Sequence, residues 1–174
     1  MLKTFQNMLQ FDTWLFLYIF ELTDSRFTKK LFYTISKSAD GYIYAVCAVC
    51  ILLLDHQRGV AFLMSGVIAF SLETSLYFLI KKSIRRKRPF ETLEGIRFLI
   101  QPPDKFSFPS GHTAAAFVFA TLVGTFYPVV FIPLVVFASL VGFSRIYLGV
   151  HYPGDVLAGS VLGILSARIG LLSG

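Results

Sequence analysis

Residues 113–144 read TAAAFVFATLVGTFYPVVFIPLVVFASLVGFS and contain no charged residue. A membrane-spanning helix needs about 20 mostly apolar residues, so this stretch is too long for a single helix. Pro128 and Pro133 lie inside it, and proline tends to break or begin helices rather than continue them. The stretch therefore predicts two spans, at 110–126 and 129–147, which meet close to the first of these prolines.

The rest of the chain contains three more apolar stretches. Residues 59–80 and 156–174 contain one charged residue each. Residues 41–54 are uncharged but short, and they reach spanning length if residues 36–40 begin the helix. The sequence thus predicts an all-α fold, a polytopic membrane helical bundle with five spans.

The composition supports a membrane protein and excludes other classes. Of 174 residues, 55% are hydrophobic and 15% are charged, whereas average soluble domains carry about 25% charged residues. This much apolar surface excludes a disordered chain, and two cysteines in a chain of this length exclude a disulfide scaffold. The length allows one compact unit.

The N-terminal region has a different pattern. In the first 38 residues, charged side chains interrupt apolar groups such as the one at 14–17. This pattern predicts two amphipathic helices, at 5–22 and 26–38, that lie in the membrane interface. We divide the chain into an interfacial segment, 1–38, and a membrane-embedded core, 39–174; the alternative makes residues 5–22 a sixth span. A cleavable signal peptide is not expected, because no small-residue cleavage site follows the first apolar block.

Three short polar motifs stand at the ends of the predicted spans: Lys81, Arg88 and Pro89; Pro109, Ser110, Gly111 and His112; and Ser144, Arg145, His151 and Asp155. With five spans, the chain leaves the membrane at Lys81 and re-enters it at Ser110. It emerges again near Arg145 and re-enters after Asp155. All three motifs are therefore expected on the same side of the membrane.

The first group of residues in these motifs is suited to binding phosphate. Lys81, Arg88 and Arg145 supply three cations, and the two guanidinium groups match the geometry of phosphate oxygens. Ser110 and Gly111 stand where a helix begins, so free backbone N–H groups and the positive end of the helix dipole can face an anion. Ser110 is also a natural N-cap residue.

The second group is suited to transferring a phosphoryl group. His151 and Asp155 lie four residues apart around Pro153, a spacing typical of a helix N-terminus. Asp155 can bind one imidazole nitrogen, which leaves the other nitrogen free to attack phosphorus. His112 is a second titrating group, placed to protonate the departing oxygen.

These residues resemble the three-part signature of the type-2 phosphatidic acid phosphatase family, membrane relatives of the vanadium haloperoxidases. The resemblance covers residues 81–155 by motif and the following span by layout. It implies a phosphohistidine intermediate on His151, with Asp155 orienting His151 and His112 acting as general acid. It also implies, as the groups that hold the substrate phosphate, Lys81, Arg88, Ser110, Gly111 and Arg145. No metal and no other cofactor is implied.

The expected function is a membrane phosphatase that hydrolyses a lipid phosphate monoester or diphosphate. Phosphatidic acid, phosphatidylglycerol phosphate and polyprenyl diphosphate are candidate substrates. A lipid phosphotransferase that uses the same site and a non-catalytic protein that binds lipid headgroups are the alternatives. The expected partners are a lipid phosphate and the bilayer, without nucleic acid, and the oligomeric state stays open.

Two signals disagree on orientation. Residues 81–105 hold eight of the 16 lysines and arginines, and the positive-inside rule places such a region in the cytoplasm. The family resemblance implies the opposite: a bacterial cytoplasmic membrane with the active site at its outer face. We favour the outer face, because part of this basic charge is needed to bind phosphate.

Several other polar residues admit a structural interpretation. Glu73 lies inside a predicted span, and we expect a hydrogen-bonded packing role for it. His56 is expected to be structural, and Cys47 and Cys50 are expected to pack as small hydrophobic residues without a metal.

Two further features lie outside the motifs. Gly159 and Gly163 predict close helix packing within the chain. Four basic residues between Lys81 and Arg88 lie outside the motif positions: Lys82, Arg85, Arg86 and Lys87. We expect them either to attract anionic headgroups or simply to face water, and the sequence supports both equally.

Overall fold

The structure, a computed structural model, describes residues 2–22 and 25–173, with side chains described from residue 6 onward in the first helix. These two ranges form helices and contain no strand. The helices are, in chain order, α1 Leu2–Glu21, α2 Arg26–Lys37, α3 Gly41–Leu54, α4 His56–Ile84, α5 Pro89–Thr92, α6 Gly111–Phe126, α7 Phe131–Tyr147 and α8 Pro153–Ser173. The predicted all-α membrane bundle is thus confirmed in class.

The number of spans differs from the predicted five. Within the described ranges, three helical stretches are long and apolar enough to cross a membrane: His56–Thr92, Pro128–Tyr147 and Pro153–Ser173. The pair α2 and α3 makes a fourth if its 55° bend lies inside one span, and α6 is apolar but shorter. The count of five is therefore not confirmed, and α1 does not meet the same criteria as a sixth span.

The break before α3 explains part of this difference. α2 ends at Lys37, and Asp40 has an extended backbone with φ −65° and ψ 138°. Residues 36–40 therefore do not lengthen α3, which has 14 residues. A helix of that length rises about 21 Å, less than the roughly 30 Å of hydrocarbon in a bilayer.

The two prolines divide the long uncharged stretch as predicted. α6 ends at Phe126, and Pro128 begins a short 3-10 turn, Pro128–Val130, that leads into α7. Pro133 lies in the first turn of α7, where a missing backbone N–H removes no helical hydrogen bond.

α6 and α8 are packed backbone against backbone. A Cβ atom at Gly159 or Gly163 would collide with the carbonyl oxygens of Ser110 and Ala114, respectively. The prediction of close helix packing within the chain is therefore confirmed. This contact holds the beginning of α6 against the beginning of α8.

The N-terminal helices cover the end of the bundle where α8 begins. Phe16 of α1 is fully buried, and its ring lies 5.5 Å from that of Tyr152, just before α8. Phe32 of α2 packs on Tyr147 at the end of α7, with ring centroids 4.7 Å apart. The segment predicted to lie in the interface is thus also bound to the core through aromatic contacts.

Candidate active site

The fold brings the three sequence motifs to one end of the bundle. Lys81 lies near the end of α4, Arg145 lies near the end of α7, and α6 and α8 begin beside them. The backbone N–H of Ser110 donates a hydrogen bond to the carbonyl oxygen of Asp155 at 3.0 Å, which ties the second motif to the third. Arg88 Nη1 lies 3.4 Å from His151 Nε2, which ties the first motif to the third.

The site contains three buried cations, Lys81, Arg88 and Arg145. Arg88 is held from three directions: it donates to the carbonyl oxygens of Val150 at 2.7 Å and Asp104 at 3.2 Å, and to Asp104 Oδ1 at 2.8 Å. Burial of a charge is costly unless the charge is paired and hydrogen-bonded. These contacts meet that requirement and fix the guanidinium plane.

Asp104 is a site residue that the sequence analysis missed. Its Oδ1 accepts hydrogen bonds from both Lys81 Nζ at 2.7 Å and Arg88 Nη2 at 2.8 Å, and the Tyr77 hydroxyl donates to its Oδ2. Burial opposes ionisation of this carboxyl, but the hydrogen bonds from Lys81 and Tyr77 outweigh it and hold its pKa below the ordinary value. Asp104 thus carries a negative charge between two cations. The sequence gives it no motif, since it is one of three carboxylates between Arg88 and Ser110.

His151 is buried beside these charges. Burial, and then the positive charges of Arg88 and Arg145, hold the pKa of His151 well below its ordinary value. The imidazole is therefore neutral at neutral pH. The Arg88 guanidinium can only donate hydrogen bonds. Its approach to His151 Nε2 therefore indicates that this nitrogen carries a lone pair and no proton.

Asp155 faces the other nitrogen of this ring. Its Oδ2 lies 3.5 Å from His151 Nδ1, which is long for a hydrogen bond. The same oxygen accepts from the backbone N–H of Tyr152 at 2.9 Å, an arrangement typical of the first turn of a helix. The predicted pair is thus brought together, with its carboxylate fixed by α8 itself.

His112 and Arg145 are in contact with residues from the N-terminal part of the chain. His112 Nε2 lies 3.2 Å from Asp40 Oδ1, and Arg145 Nη1 donates to Ser36 Oγ at 2.6 Å. Arg145 Nε is buried and has no hydrogen-bond partner among the described atoms, so it is a donor that an anionic ligand could satisfy. The sequence analysis assigned no site role to Ser36 or Asp40.

α6 begins where the sequence predicted, after Ser110, but the Ser110 side chain does not cap the helix. Ser110 is the N-cap residue, but its Oγ accepts from the Thr113 hydroxyl at 2.9 Å and makes no cap hydrogen bond to the helix backbone. The first N–H groups of α6 are therefore not capped by this side chain. Gly111 allows close approach of Tyr77, because a Cβ there would lie 2.8 Å from its ring.

Arg86 corrects one sequence expectation. It neither attracts headgroups nor faces water freely, because it is enclosed between Asp12 and Asp155 at 2.7 and 2.8 Å. The neighbouring basic residues, in contrast, are exposed; these are Lys82, Arg85 and Lys87.

One cavity lies between α3, α4 and α6. It has a volume of about 410 Å³ and a largely apolar lining that includes Phe62, Phe119 and Gly41, which follows Asp40. Glu73 also lines it, is buried, and accepts a hydrogen bond from the Thr74 hydroxyl at 3.2 Å. The cavity is thus an apolar space next to Asp40, which contacts His112.

The described cysteines, and the described carboxylates outside the site, form no metal site. Cys47 and Cys50 are free thiols on α3. Among the described residues there is no group of three or more His, Cys, Asp or Glu side chains arranged to hold a metal ion.

Comparison with known sequences identifies one matching family and several relatives. Residues 58–173, about two thirds of the chain, match the sequence profile of the PAP2 superfamily. The bacitracin transport permease protein BcrC of Bacillus licheniformis is 36% identical over 126 residues, which cover 72% of this chain and 62% of that protein. An undecaprenyl-diphosphatase of Sulfolobus acidocaldarius is 34% identical over 133 residues, 74% of this chain and 62% of the relative. The chain thus spans less than two thirds of the length of these curated relatives.

Comparison with solved structures gives the same fold. The crystal structure of Aquifex aeolicus LpxE matches with a TM-score of 0.81 and 29% identity, covering 91% of this chain and 93% of that one. A PAP2-type phosphatidylglycerolphosphate phosphatase from Bacillus subtilis matches with a TM-score of 0.75 and 24% identity, covering 94% and 84%. The second likeness supports the fold alone.

Proposed function

The chain belongs to the PAP2 superfamily, and we propose that it is an integral membrane phosphatase that hydrolyses a phosphate monoester or diphosphate on a lipid carrier. The observation that carries this proposal is the 3.4 Å contact between Arg88 Nη1 and His151 Nε2. It places an anion-binding group directly beside a buried, neutral imidazole. Such a pair is suited to phosphoryl transfer, in which catalysis is mainly positioning and electrostatic stabilisation.

In the first step, His151 Nε2 attacks the phosphorus atom in line. A P–N bond forms while the bond to the lipid oxygen breaks, and His112 gives its proton to that oxygen. Asp155 orients the ring through Nδ1 and stabilises the positive charge that develops on it. The product is a phosphohistidine and a lipid alcohol, or a lipid monophosphate if the substrate is a diphosphate.

In the second step, water attacks the phosphohistidine: a P–O bond forms, the P–N bond breaks and inorganic phosphate leaves. His112, now neutral, accepts a proton from this water, and His151 returns to its starting state. The cations of the site hold the oxygens of the transferring group in both steps. The cations are Lys81, Arg88 and Arg145. Ser110 and Gly111, at the start of α6, add to this binding.

The apolar cavity supports a lipid substrate. A phosphate bound between His151 and His112 would have Asp40 and Gly41 at its edge, and Gly41 lines the cavity. An acyl or prenyl chain attached to this phosphate would then lie against apolar side chains rather than in water.

The proposed mechanism uses no metal, since the three cations supply the positive charge that a metal would otherwise provide. We expect phosphate release by purified protein to be unchanged in EDTA. Loss of activity in EDTA that a divalent metal restores would contradict this part of the proposal.

The deciding experiment measures phosphate release by detergent-purified protein from a panel of lipid phosphates and diphosphates, without added acceptor. We expect release from at least one lipid, and labelled phosphate bound to the wild-type protein after alkaline quenching, which preserves phosphohistidine. His151→Ala should show neither. Release only with an added alcohol acceptor would indicate a phosphotransferase, and headgroup binding without release would indicate a non-catalytic protein.

We also propose that the site faces the outer side of a bacterial cytoplasmic membrane. A reporter fused after residue 174 tests this, because α8 runs from the site toward the opposite side. A reporter that is active in the cytoplasm supports an outward-facing site. A reporter active outside would reverse the orientation.

A further inference from the structure

We propose that Asp12, on the N-terminal helix α1, is a positioning residue for the nucleophile: it holds Arg86 against Asp155 and thereby fixes the carboxylate that orients His151. This inference rests on the proposed function. Asp12 touches neither the substrate phosphate nor the reacting atoms, so it acts through other residues.

Two ion pairs link α1 to the carboxylate that faces the imidazole. Asp12 Oδ2 lies 2.7 Å from Arg86 Nη2, and Arg86 Nη1 lies 2.8 Å from Asp155 Oδ1. The other oxygen of Asp155 faces His151 Nδ1 at 3.5 Å. Arg86 therefore uses its two terminal nitrogens on two different carboxylates, which is a task that needs the planar fork of an arginine.

The second oxygen of Asp12 binds the backbone that carries Asp155. Asp12 Oδ1 accepts a hydrogen bond from the backbone N–H of Gly154 at 2.7 Å, in the first turn of α8. Gly154 makes this approach possible, because a Cβ there would lie 2.9 Å from Asp12 Oδ2. One carboxylate thus fixes both the partner of Asp155 and the backbone next to it.

This cluster is shielded from water. The side chains of Asp12 and Arg86 are 13% and 19% exposed, and that of Asp155 is 0% exposed. The guanidinium of Arg86 also lies over the Tyr152 ring, 3.9 Å from its centroid. Buried ion pairs of this kind are strongly destabilised when one partner is lost, because the other charge stays buried and unpaired.

One face of α1 carries both the residue that packs on the bundle and the carboxylate that binds Arg86. Asp12 and Phe16 are four residues apart, so they lie on the same side of the helix. Phe16 is fully buried against Tyr152. The aromatic contact docks α1, and Asp12 then reaches Arg86 and Gly154 from the docked helix.

The test compares Asp12→Asn, Arg86→Gln and the double variant in full-length protein purified in detergent. For each protein, kcat and KM are measured on the best lipid phosphate of the panel. We expect kcat to fall about tenfold in Asp12→Asn and about 10²-fold in Arg86→Gln, the scale on which small misplacements of catalytic groups are felt. KM should stay within about twofold of wild type in both, because neither residue holds the phosphate.

The double variant separates a relay from two independent structural losses. If Asp12 acts through Arg86, then adding Asp12→Asn to Arg86→Gln costs nothing further. Losses that multiply, or a change confined to KM, would overturn the proposal.

Matched controls come from the same elements. Glu21→Gln removes an exposed carboxylate from α1, and Lys87→Gln removes an exposed cation next to Arg86. Both should leave kcat unchanged. If Asp12→Asn does not fold, Gly154→Ala provides a second variant, because its methyl group displaces the Asp12 carboxylate while favouring the helix. It should lower kcat to a similar extent, and an unchanged kcat would overturn the proposal.

The same measurements distinguish failure of the Asp12 role from failure of the proposed phosphatase function. Active wild-type protein, inactive His151→Ala and unaffected Asp12→Asn would overturn the role of Asp12 alone. Wild-type protein that hydrolyses no lipid phosphate would overturn the proposed function, and this positioning role with it.

Discussion

Charged residues near the two ends of α4 lie in opposite surroundings. At its start, Asp55 and Arg58 pair at 4.0 Å on the surface, and the Arg58 side chain is 60% exposed. Beyond the other end, Arg88 and, on α8, Asp155 are 1% and 0% exposed and have separate ion-pair partners. Surface ion pairs contribute little and cost little, whereas buried charges need a full set of partners. The end of the bundle where the chain buries charge is the end where we place the chemistry.

The sharpest contrast is between the two histidines. His151→Ala removes the proposed nucleophile, so kcat should fall by about 10⁴-fold or more, the scale seen when a catalytic nucleophile is removed. His56→Ala, at the start of α4, should leave kcat within about twofold, as for surface substitutions generally. Phosphate release at saturating substrate measures both. Comparable losses in the two variants would remove the distinction between the two ends.

The arginines provide a second contrast. Arg88→Lys keeps the charge but loses the fork that binds Asp104, Val150 and His151. We expect kcat to fall by about 10²- to 10³-fold, the usual cost of one preorganised donor at a transition state. Arg58→Lys should have no effect. If Arg88→Lys is fully active, then charge alone suffices and the geometry of Arg88 is not used.

Substitution of His112 tests whether this residue protonates the leaving group. His112→Ala should lower turnover of an alkyl phosphate by at least about 10²-fold, the lower range for a general acid. On nitrophenyl phosphate the loss should be much smaller, because nitrophenolate leaves without a proton. Equal losses on the two substrates would mean that His112 does not protonate the leaving group.

Asp104→Asn probes the charge that the protein itself places between Lys81 and Arg88. Removal of this negative charge should tighten binding of a phosphate dianion by about fivefold, since partly exposed charge pairs are worth up to about 1 kcal/mol. The inhibition constant of inorganic phosphate, measured at fixed substrate, reports the change. Weaker inhibition would show instead that Asp104 is needed to hold the two cations in place.

The pH dependence gives the smallest expected change. The pKa of His151 lies well below its ordinary value because of burial and the charges of Arg88 and Arg145. Since a lowered pKa keeps the imidazole neutral to lower pH, kcat/KM should not fall between pH 8 and 6.5 through protonation of His151. The profile is measured with the ionisation of the substrate accounted for. An acid limb with an apparent pKa above 7 that is traced to His151 would contradict the buried, neutral nucleophile.

Local signals in the sequence were sufficient for most of the helices. Uncharged stretches and prolines predicted α4, α6, α7 and α8 to within a few residues, because burial in lipid imposes a strong pattern on composition. The span count depends on lengths that are marginal: α3 has 14 residues and α6 has 16. A pattern of hydrophobicity does not reveal the extended backbone at Asp40 that shortens α3.

The residues that surround the motifs were not predictable in the same way. Asp12, Ser36 and Asp40 reach Arg86, Arg145 and His112 across long separations in the chain. No spacing rule connects them, since their contacts depend on how α1 and α2 fold back over the end of the bundle. Single polar residues on amphipathic helices look the same in sequence whether they face water or a buried arginine.

The glycine contacts between α6 and α8 also set how the protein responds to its surroundings. Because the glycines of α8 touch the backbone of α6, the two helices have little room to move against each other. We therefore expect a thinner or thicker bilayer to tilt the two helices together. On this expectation, the spacing of His112 and Asp155 at the tips of these helices would not depend on lipid composition.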